Sequence, residues 1–364
     1  MCERRTLATG VIALFVAMSP MMSQLTRGQA AQGRGAAAPQ APGGTAPQAP
    51  GGAAPQAPGA GARGAAPQGR AGGRGGGGGG RGDGGAFTPE PGAKDLKSVL
   101  FNWTWHMGML RSGAESELIK TLDYHAAGGT MQVDGQPCTL TKYRIQANYQ
   151  VPGYRVQIAC TRANKQTYSN VETLSGDYAW DEDIPGAELV AGEGKATARQ
   201  AALEERRIRL WASPHGAVKA AIAAAAGMHP LKSFGQNPGV LLDTQAKAGV
   251  QPQTTLTWQK EKTVEKAVLT FPIPDVPGAT ATATLVNDLP ESVVVTHGAN
   301  KTEFIYGKWA DWNNPLFKID ALYPGTMVER KNGNVVRSVN TKVTEIGQIY
   351  VIMPVPESVK KAGK

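Results

Sequence analysis

Residues 138–161 read CTLTKYRIQANYQVPGYRVQIACT, and their alternation decides the fold class. In the first half, Leu140, Lys142, Arg144 and Gln146 alternate with Thr141, Tyr143, Ile145 and Ala147. In the second half, Tyr154, Val156, Ile158 and Cys160 fall on one side. Successive side chains of a strand point to opposite faces, so a period of two marks strands with two unlike faces. Between them, Gln150-Val151-Pro152-Gly153 supplies the turn: Pro presets one φ and Gly frees the next. The segment reads as a β-hairpin.

Working outward, the same signals recur. SNVETLSGDYAWDED (169–183) reads as a short strand pair turning at Ser175-Gly176. Past the middle of the chain come TTLTWQKE (254–261), TVEKAVLTF (263–271), ATATLVND (281–288), ESVVVTHG (291–298) and TEFIYGKW (302–309). TMVERKNGNVVRSVNTKVTEI (326–346) follows, divided by Lys331-Asn332-Gly333-Asn334, a strong hairpin signal. Strands joined by short turns imply an antiparallel meander. WTWHM (103–107) reads as one more strand, with Trp103 and Trp105 on the same face. Such a pair can line an apolar pocket, with indole N–H groups fixing a ligand's head group, or can simply be core.

Helix is expected in one region, residues 197–226. Leu203, Ile208, Leu210 and Trp211 share a broad face interrupted by Arg207, and a strand through 206–211 is the alternative. Beyond it, Val218, Ala221, Ile222 and Ala225 form a cleaner stripe. Ser213 suits an N-cap, Pro214 the first helical position and Gly227 the C-terminal cap. His215 would then sit at the second helical position, where the helix dipole disfavours the imidazolium. Helix entry and packing account for Ser-Pro-His-Gly. A neutral imidazole polarising a carbonyl is the catalytic alternative, and it needs partners that the sequence does not place.

The N-terminal quarter is different material. A charged lead, the apolar run TLATGVIALFVAM and small residues up to Ala30 form the pattern of a secretory signal peptide over residues 1–30, with an uncleaved anchor as the alternative. Residues 31–93 repeat Ala-Pro-Gln-Ala-Pro-Gly and then Arg-Gly, which cannot bury enough surface to order themselves; they read as a disordered tether. Arg81-Gly82-Asp83 falls among many Arg-Gly pairs and reads as chance. The formal charge is +9. Much of it comes from arginines of residues 1–93, so the remainder, 94–360, is a mildly basic single domain, and nucleic acid is not an expected partner. No later segment is apolar enough to span a bilayer.

With Cys2 in the signal segment, Cys138 and Cys160 remain. An even pair in an exported protein reads as a disulfide, for which loop closure gives roughly 3 kcal/mol. Simple pairing about a turn near Pro152 would not set the two directly opposite each other, and two buried thiols are the alternative. Histidines 106, 125, 215, 229 and 297 are scattered without metal-ligand spacing. DEDIPGAE (181–188) lacks the spaced acids of a calcium loop, AGEGK (191–195) lacks the glycines of a phosphate loop, and no Gly-x-Ser-x-Gly elbow occurs. No metal or cofactor is expected.

RRIRLWASPHGAVKAA (206–221) resembles the Leu-Trp-x-x-Pro-His-Gly helix entry of a LolA/LolB-like (lipoprotein-carrier-like) domain of exported bacterial proteins. In many of them that domain precedes a metallo-β-lactamase-fold hydrolase domain. Residues 302–346 are similar to its ending at Tyr306, Trp309, Asp311, Trp312, Tyr323, Pro324 and Gly333. SGDYAWDED resembles its Gly-x-Tyr-Ala-Trp turn at Gly176, Tyr178, Ala179 and Trp180. The resemblance covers roughly residues 97–359. It implies a mainly β (α+β) fold, a curved antiparallel sheet or half-barrel wrapping a helical pair, with acyl chains held on the concave face. The hydrolytic activity does not carry over: the chain ends at Lys364, and it has no His-x-His-x-Asp-His run.

The expectation is therefore an exported, periplasmic or secreted, non-enzymatic protein binding an apolar ligand such as an acyl chain or lipoprotein segment. Trp103, Trp105, Trp211 and His215 are the candidate ligand-binding residues. An envelope scaffold that binds a protein partner and no small ligand is the second reading. A hydrolase using His215 is the third.

Overall fold

Among the described residues, thirteen strands pair antiparallel, and the chain lays them down in two runs. The computed structural model describes residues 87–110, 119–314, 321–346 and 351–363. The expected signal peptide and nearly all of the expected tether lie outside the described residues.

The first run steps outward from β1 (Thr121–Val133) through β2 (Gln136–Asn148), β3 (Gly153–Arg162), β4 (Thr167–Ser175) and β5 (Tyr178–Glu182) to β6 (Ala196–Ala198). The second steps from β7 (Thr255–Glu261) through β8 (Val264–Pro272), β9 (Thr280–Val286), β10 (Leu289–His297), β11 (Asn300–Asp311) and β12 (Leu322–Lys331) to β13 (Asn334–Ile346). β13 pairs with β1, so the runs join at the centre and the two open edges, β6 and β7, lie mid-sequence. Turn chemistry drives this order. Asn332 and Gly333 both have positive φ, as do Asp134 and Gly135 between β1 and β2, the conformation a tight two-residue hairpin requires.

β1 is the strand that the alternation hides. Its Gly128-Gly129 pair and its register shifts against β13 break the period of two. The glycine is needed there, because a Cβ on Gly129 would lie 2.0 Å from the Ser338 carbonyl oxygen of β13.

Among the described residues, six α-helices accompany the sheet: α1 (Leu96–His106), α2 (Leu203–Trp211), α3 (Pro214–Ala225), α4 (Pro230–Ser233), α5 (Pro238–Lys247) and α6 (Glu357–Ala362). The strand expected at 103–107 is instead the end of α1, opened by Asp95, whose carboxylate accepts from the Ser98 amide. Two residues apart on a helix is roughly half a turn. Trp103 is accordingly fully buried while Trp105 is 40% exposed, so the two do not share a face. The region expected to be helical from 197 begins as the short edge strand β6, with α2 and α3 following. α6 packs on β6 through the cluster of Trp180, Ala196, Val351, Met353 and Val359, which covers that edge.

α3 is buried at every position. Its alanines make a thin cylinder that packs against β8, α1 and α2 in the main core. The sheet curves around this insert. Arg209 of α2 reaches Glu172 of β4 at 2.9 Å and Glu329 of β12 at 3.3 Å. Those strands are five intervals apart in the sheet order, about 24 Å if it were flat, far more than two glutamates and one guanidinium span. One side chain on α2 therefore gathers two distant strands, with the core on the concave side.

Candidate ligand cavity

The corner between α2 and α3 is held by a set of small, short-range bonds. Ser213 caps α3 by accepting the Gly216 amide, and donates its own proton to the Leu210 carbonyl at 2.6 Å. The Tyr149 hydroxyl, 3.0 Å from Ser213 Oγ, is then the donor of that pair. Tyr306 donates to the Ala212 carbonyl at 2.5 Å. One serine and one tyrosine hydroxyl thus bond two carbonyls at the end of α2, Leu210 and Ala212. Gly216 is required by close approach, since a Cβ there would meet the Leu210 carbonyl oxygen at 2.0 Å.

In front of this corner, facing the concave sheet, lies an open cavity of about 90 Å³. Its walls are mostly apolar: Ile145 and Ala147 of β2, Val156 of β3, Phe304 of β11, Met327 of β12 and Val339 of β13, closed at the back by Leu210 and Pro214.

One end of the cavity is polar, formed by Tyr143, Tyr154, Arg209, Glu329 and Arg337. All three donor nitrogens of Arg209 are engaged, with Glu329, Glu172 and Glu205 (2.6 Å). Arg337 donates to the Tyr143 hydroxyl at 2.5 Å and lies 3.6 Å from Glu329. Burial pushes the Glu329 carboxyl up, but Arg209, then Arg337 and Lys331, outweigh it and hold the group below its usual value. Burial holds the Tyr154 phenol protonated. On the other side of Arg209 and Glu329 lies a second, polar cleft lined by Glu204, His297, Lys301 and Lys331.

Among the residues expected at a ligand, the structure brings none to the walls of this cavity. Trp103 and Trp211 are fully buried in the core, and Trp105 stacks on Phe101 at the surface of α1. His215 lies behind the wall. Its Nε2 donates to the Leu322 carbonyl at 3.3 Å, its ring tilts against Tyr323, and its Nδ1 is buried with no hydrogen-bond partner. Burial, then the nearby Lys219 charge, lowers its pKa to about 3. A neutral ring with no carboxylate or hydroxyl bonded to it has no proton relay. Lys219 itself lies over the rings of Tyr149 and Phe234, at 5.3 and 4.6 Å. His229 pairs with Asp275 at 3.0 Å, but its Nδ1 accepts the Leu231 amide, so neither nitrogen is left to act as a base. No group of three metal-ligating side chains occurs among the described residues.

The Cys138 and Cys160 sulfurs are bonded, with Cα atoms 5.6 Å apart. Cys138 faces Arg162 and Leu140 faces Cys160, so the cysteines are diagonal neighbours across β2 and β3. A register shift past Leu140 brings them onto one face, which symmetrical pairing about the turn does not do.

The class these features define is an open antiparallel sheet curved about a buried helical insert, with an apolar cavity on the concave side. No known family model matches the chain, and no curated protein matches it.

Proposed function

We propose that this is an exported, non-enzymatic binding protein that takes an apolar ligand, an acyl chain or lipoprotein segment, into the cavity between the α2–α3 corner and the concave sheet. In this reading the curved sheet is a LolA/LolB-like half-barrel working in the bacterial envelope. One observation carries it: an open, apolar-walled cavity of about 90 Å³ lies between the α2–α3 corner and the concave sheet. Enclosing such a surface without an occupant forgoes the packing contacts a solid core would make.

The experiment is native mass spectrometry of the protein purified gently from its own envelope fraction, followed by organic extraction. A co-purifying lipid or acyl species supports the reading and gives its class. A ligand-free mass, under conditions that retain lipid on a known carrier, overturns it. The scaffold reading draws on the complete burial of α3, which fills much of the concave face with the chain's own side chains. A ligand-free mass favours it.

A further inference from the structure

The two open edges of the sheet are built differently. β6 is three residues long and lies under α6. β7 is seven residues long, and six of the seven are exposed. Its one strand neighbour is β8. Edge strands are ordinarily blunted by charge, by Pro or by a covering element, because their unpaired backbone groups accept another strand. Thr255-Leu256-Thr257-Trp258-Gln259 carries no charge and no Pro, and the first charge comes at Lys260.

The hairpin fixes which groups are open. Glu261 and Val264 close a two-residue loop of Lys262 and Thr263, so that pair exchanges hydrogen bonds. Bonded and non-bonded pairs then alternate along the ladder. Thr255, Thr257, Gln259 and Glu261 bond inward to β8, while Leu256, Trp258 and Lys260 turn their N–H and C=O groups outward. No described residue bonds those outward backbone groups. The same three residues put their side chains on one face of the sheet, where Leu256 packs against the core. Trp258 stays 40% exposed there, with its indole N–H on the Lys94 carbonyl at 3.1 Å.

An outward row of donors and acceptors accepts a strand, and this row matches itself. Two copies related by a two-fold axis normal to the sheet pair antiparallel along one edge. All three outward residues are used only when Trp258 lies opposite Trp258 of the second copy. Leu256 then faces Lys260 of the second copy, and the reverse. That register makes about six inter-strand hydrogen bonds. No like charges meet across it. Each Lys260 lies diagonally beside the other copy's Trp258 ring, within reach of a cation–π contact. The run before Phe87 is a poor competitor for the edge: its many Pro residues lack the N–H, and its many Gly residues the side chain, that a strand uses.

We propose that β7 is a self-association edge: two copies of this chain pair antiparallel along Thr255–Glu261, centred on Trp258, and join their sheets across a two-fold axis.

The test is sedimentation velocity of the purified protein over about 1–100 µM. A concentration-dependent shift from the mass of one chain to that of two is expected. Trp258→Lys sets two ammonium groups opposite each other across the axis and should weaken association by at least about tenfold. Trp258→Glu alone should do the same. Mixing the two variants should restore a dimer, because this register sets residue 258 against itself. Lys260→Pro keeps the indole, removes one outward N–H and leaves the β8 ladder intact; it should also weaken association. Urea midpoints equal to the parent's show that each variant is folded, and where Trp258→Lys lowers its midpoint, Lys260→Pro decides. A protein that is monomeric at every concentration overturns the proposal and leaves the edge to a strand of another protein. A dimer that survives Trp258→Lys or Lys260→Pro overturns it too, as do two charge variants that fail to recombine.

Discussion

Arg209→Met tests whether one side chain holds the two limbs of the sheet to α2. The substitution keeps length and apolar stem but removes the charge from three carboxylates. Glu205 is 45% exposed and retains Lys331 at 2.8 Å, so it adds little. Glu172 is 16% exposed and loses its Arg209 bridge; Glu329, 6% exposed, keeps only the weaker Arg337 contact at 3.6 Å. Breaking a buried pair by removing one partner costs about 3–5 kcal/mol, a large part of the margin of an ordinary domain. The pH dependence follows from Glu329. In the parent its carboxyl is held below the unfolded value, so its contribution is present above that value and lost as pH falls through the folded one. Without Arg209 burial prevails and the folded value rises above the unfolded one. The variant then loses stability as pH rises through the carboxylate range. The deficit is therefore larger near pH 7.5 than near pH 4.5. Urea unfolding followed by tryptophan fluorescence measures it, since Trp103, Trp180 and Trp211 are fully buried. Adding Glu172→Gln and Glu329→Gln should restore at least half of the loss. A deficit under about 1 kcal/mol, or one equal at both pH values, refutes the bridge as a structural tie.

Other outcomes follow from single features. Replacing both Cys138 and Cys160 by Ala should cost roughly 3 kcal/mol by loop closure, read from the same urea curves, and thiol titration of the unfolded parent should find neither sulfur free. Gly216→Ala forces a Cβ against the Leu210 carbonyl; a loss of about 1–3 kcal/mol is expected, whereas a neutral effect would mean the α2–α3 corner is not tightly set. His215 is buried neutral with a pKa of about 3. Its contribution is complete above the unfolded value near 6.5 and is lost on acidification at about 1.4 kcal/mol per pH unit. His215→Gln should flatten the stability profile across that window, and an imidazole NMR shift that titrates near pH 6.5 in the native state would contradict the burial.

The meander was legible because its turns are explicit. Asn332-Gly333 and Pro152-Gly153 mark hairpins whatever the surroundings, and Ser213-Pro214 marks a helix entry for local reasons alone. At α1, WTWHM suggests a strand because Thr104 stands between Trp103 and Trp105, an apolar–polar alternation too short to show a helical period. The capping signal was present in Asp95 three residues before Ser98. β1 was hidden by a glycine pair whose need arises from β13, more than two hundred residues away. The cavity was not legible at all. Its polar end assembles Tyr143, Tyr154, Arg209, Glu329 and Arg337 from five elements, and its key pair depends on a register shift. Glu329 faces Arg337 across β12 and β13, whereas the Asn332-Gly333 turn alone would set it against Val336. Bulky tryptophans and a lone histidine have the chemistry of ligand groups and equally that of core side chains. Burial put three of them, Trp103, Trp211 and His215, in the core, where large side chains contribute most.

The central claim is that the cavity before the α2–α3 corner holds an apolar chain. Ala147 lines that cavity, and Ala147→Phe fills it. Saturation binding of an acyl probe to the parent and to this variant, both checked for equal unfolding midpoints, is the direct measurement. The account predicts saturable one-to-one binding by the parent and at least a tenfold loss in the variant, the scale of about 1.4 kcal/mol. Equal affinity in the two proteins would place the chain elsewhere and contradict it.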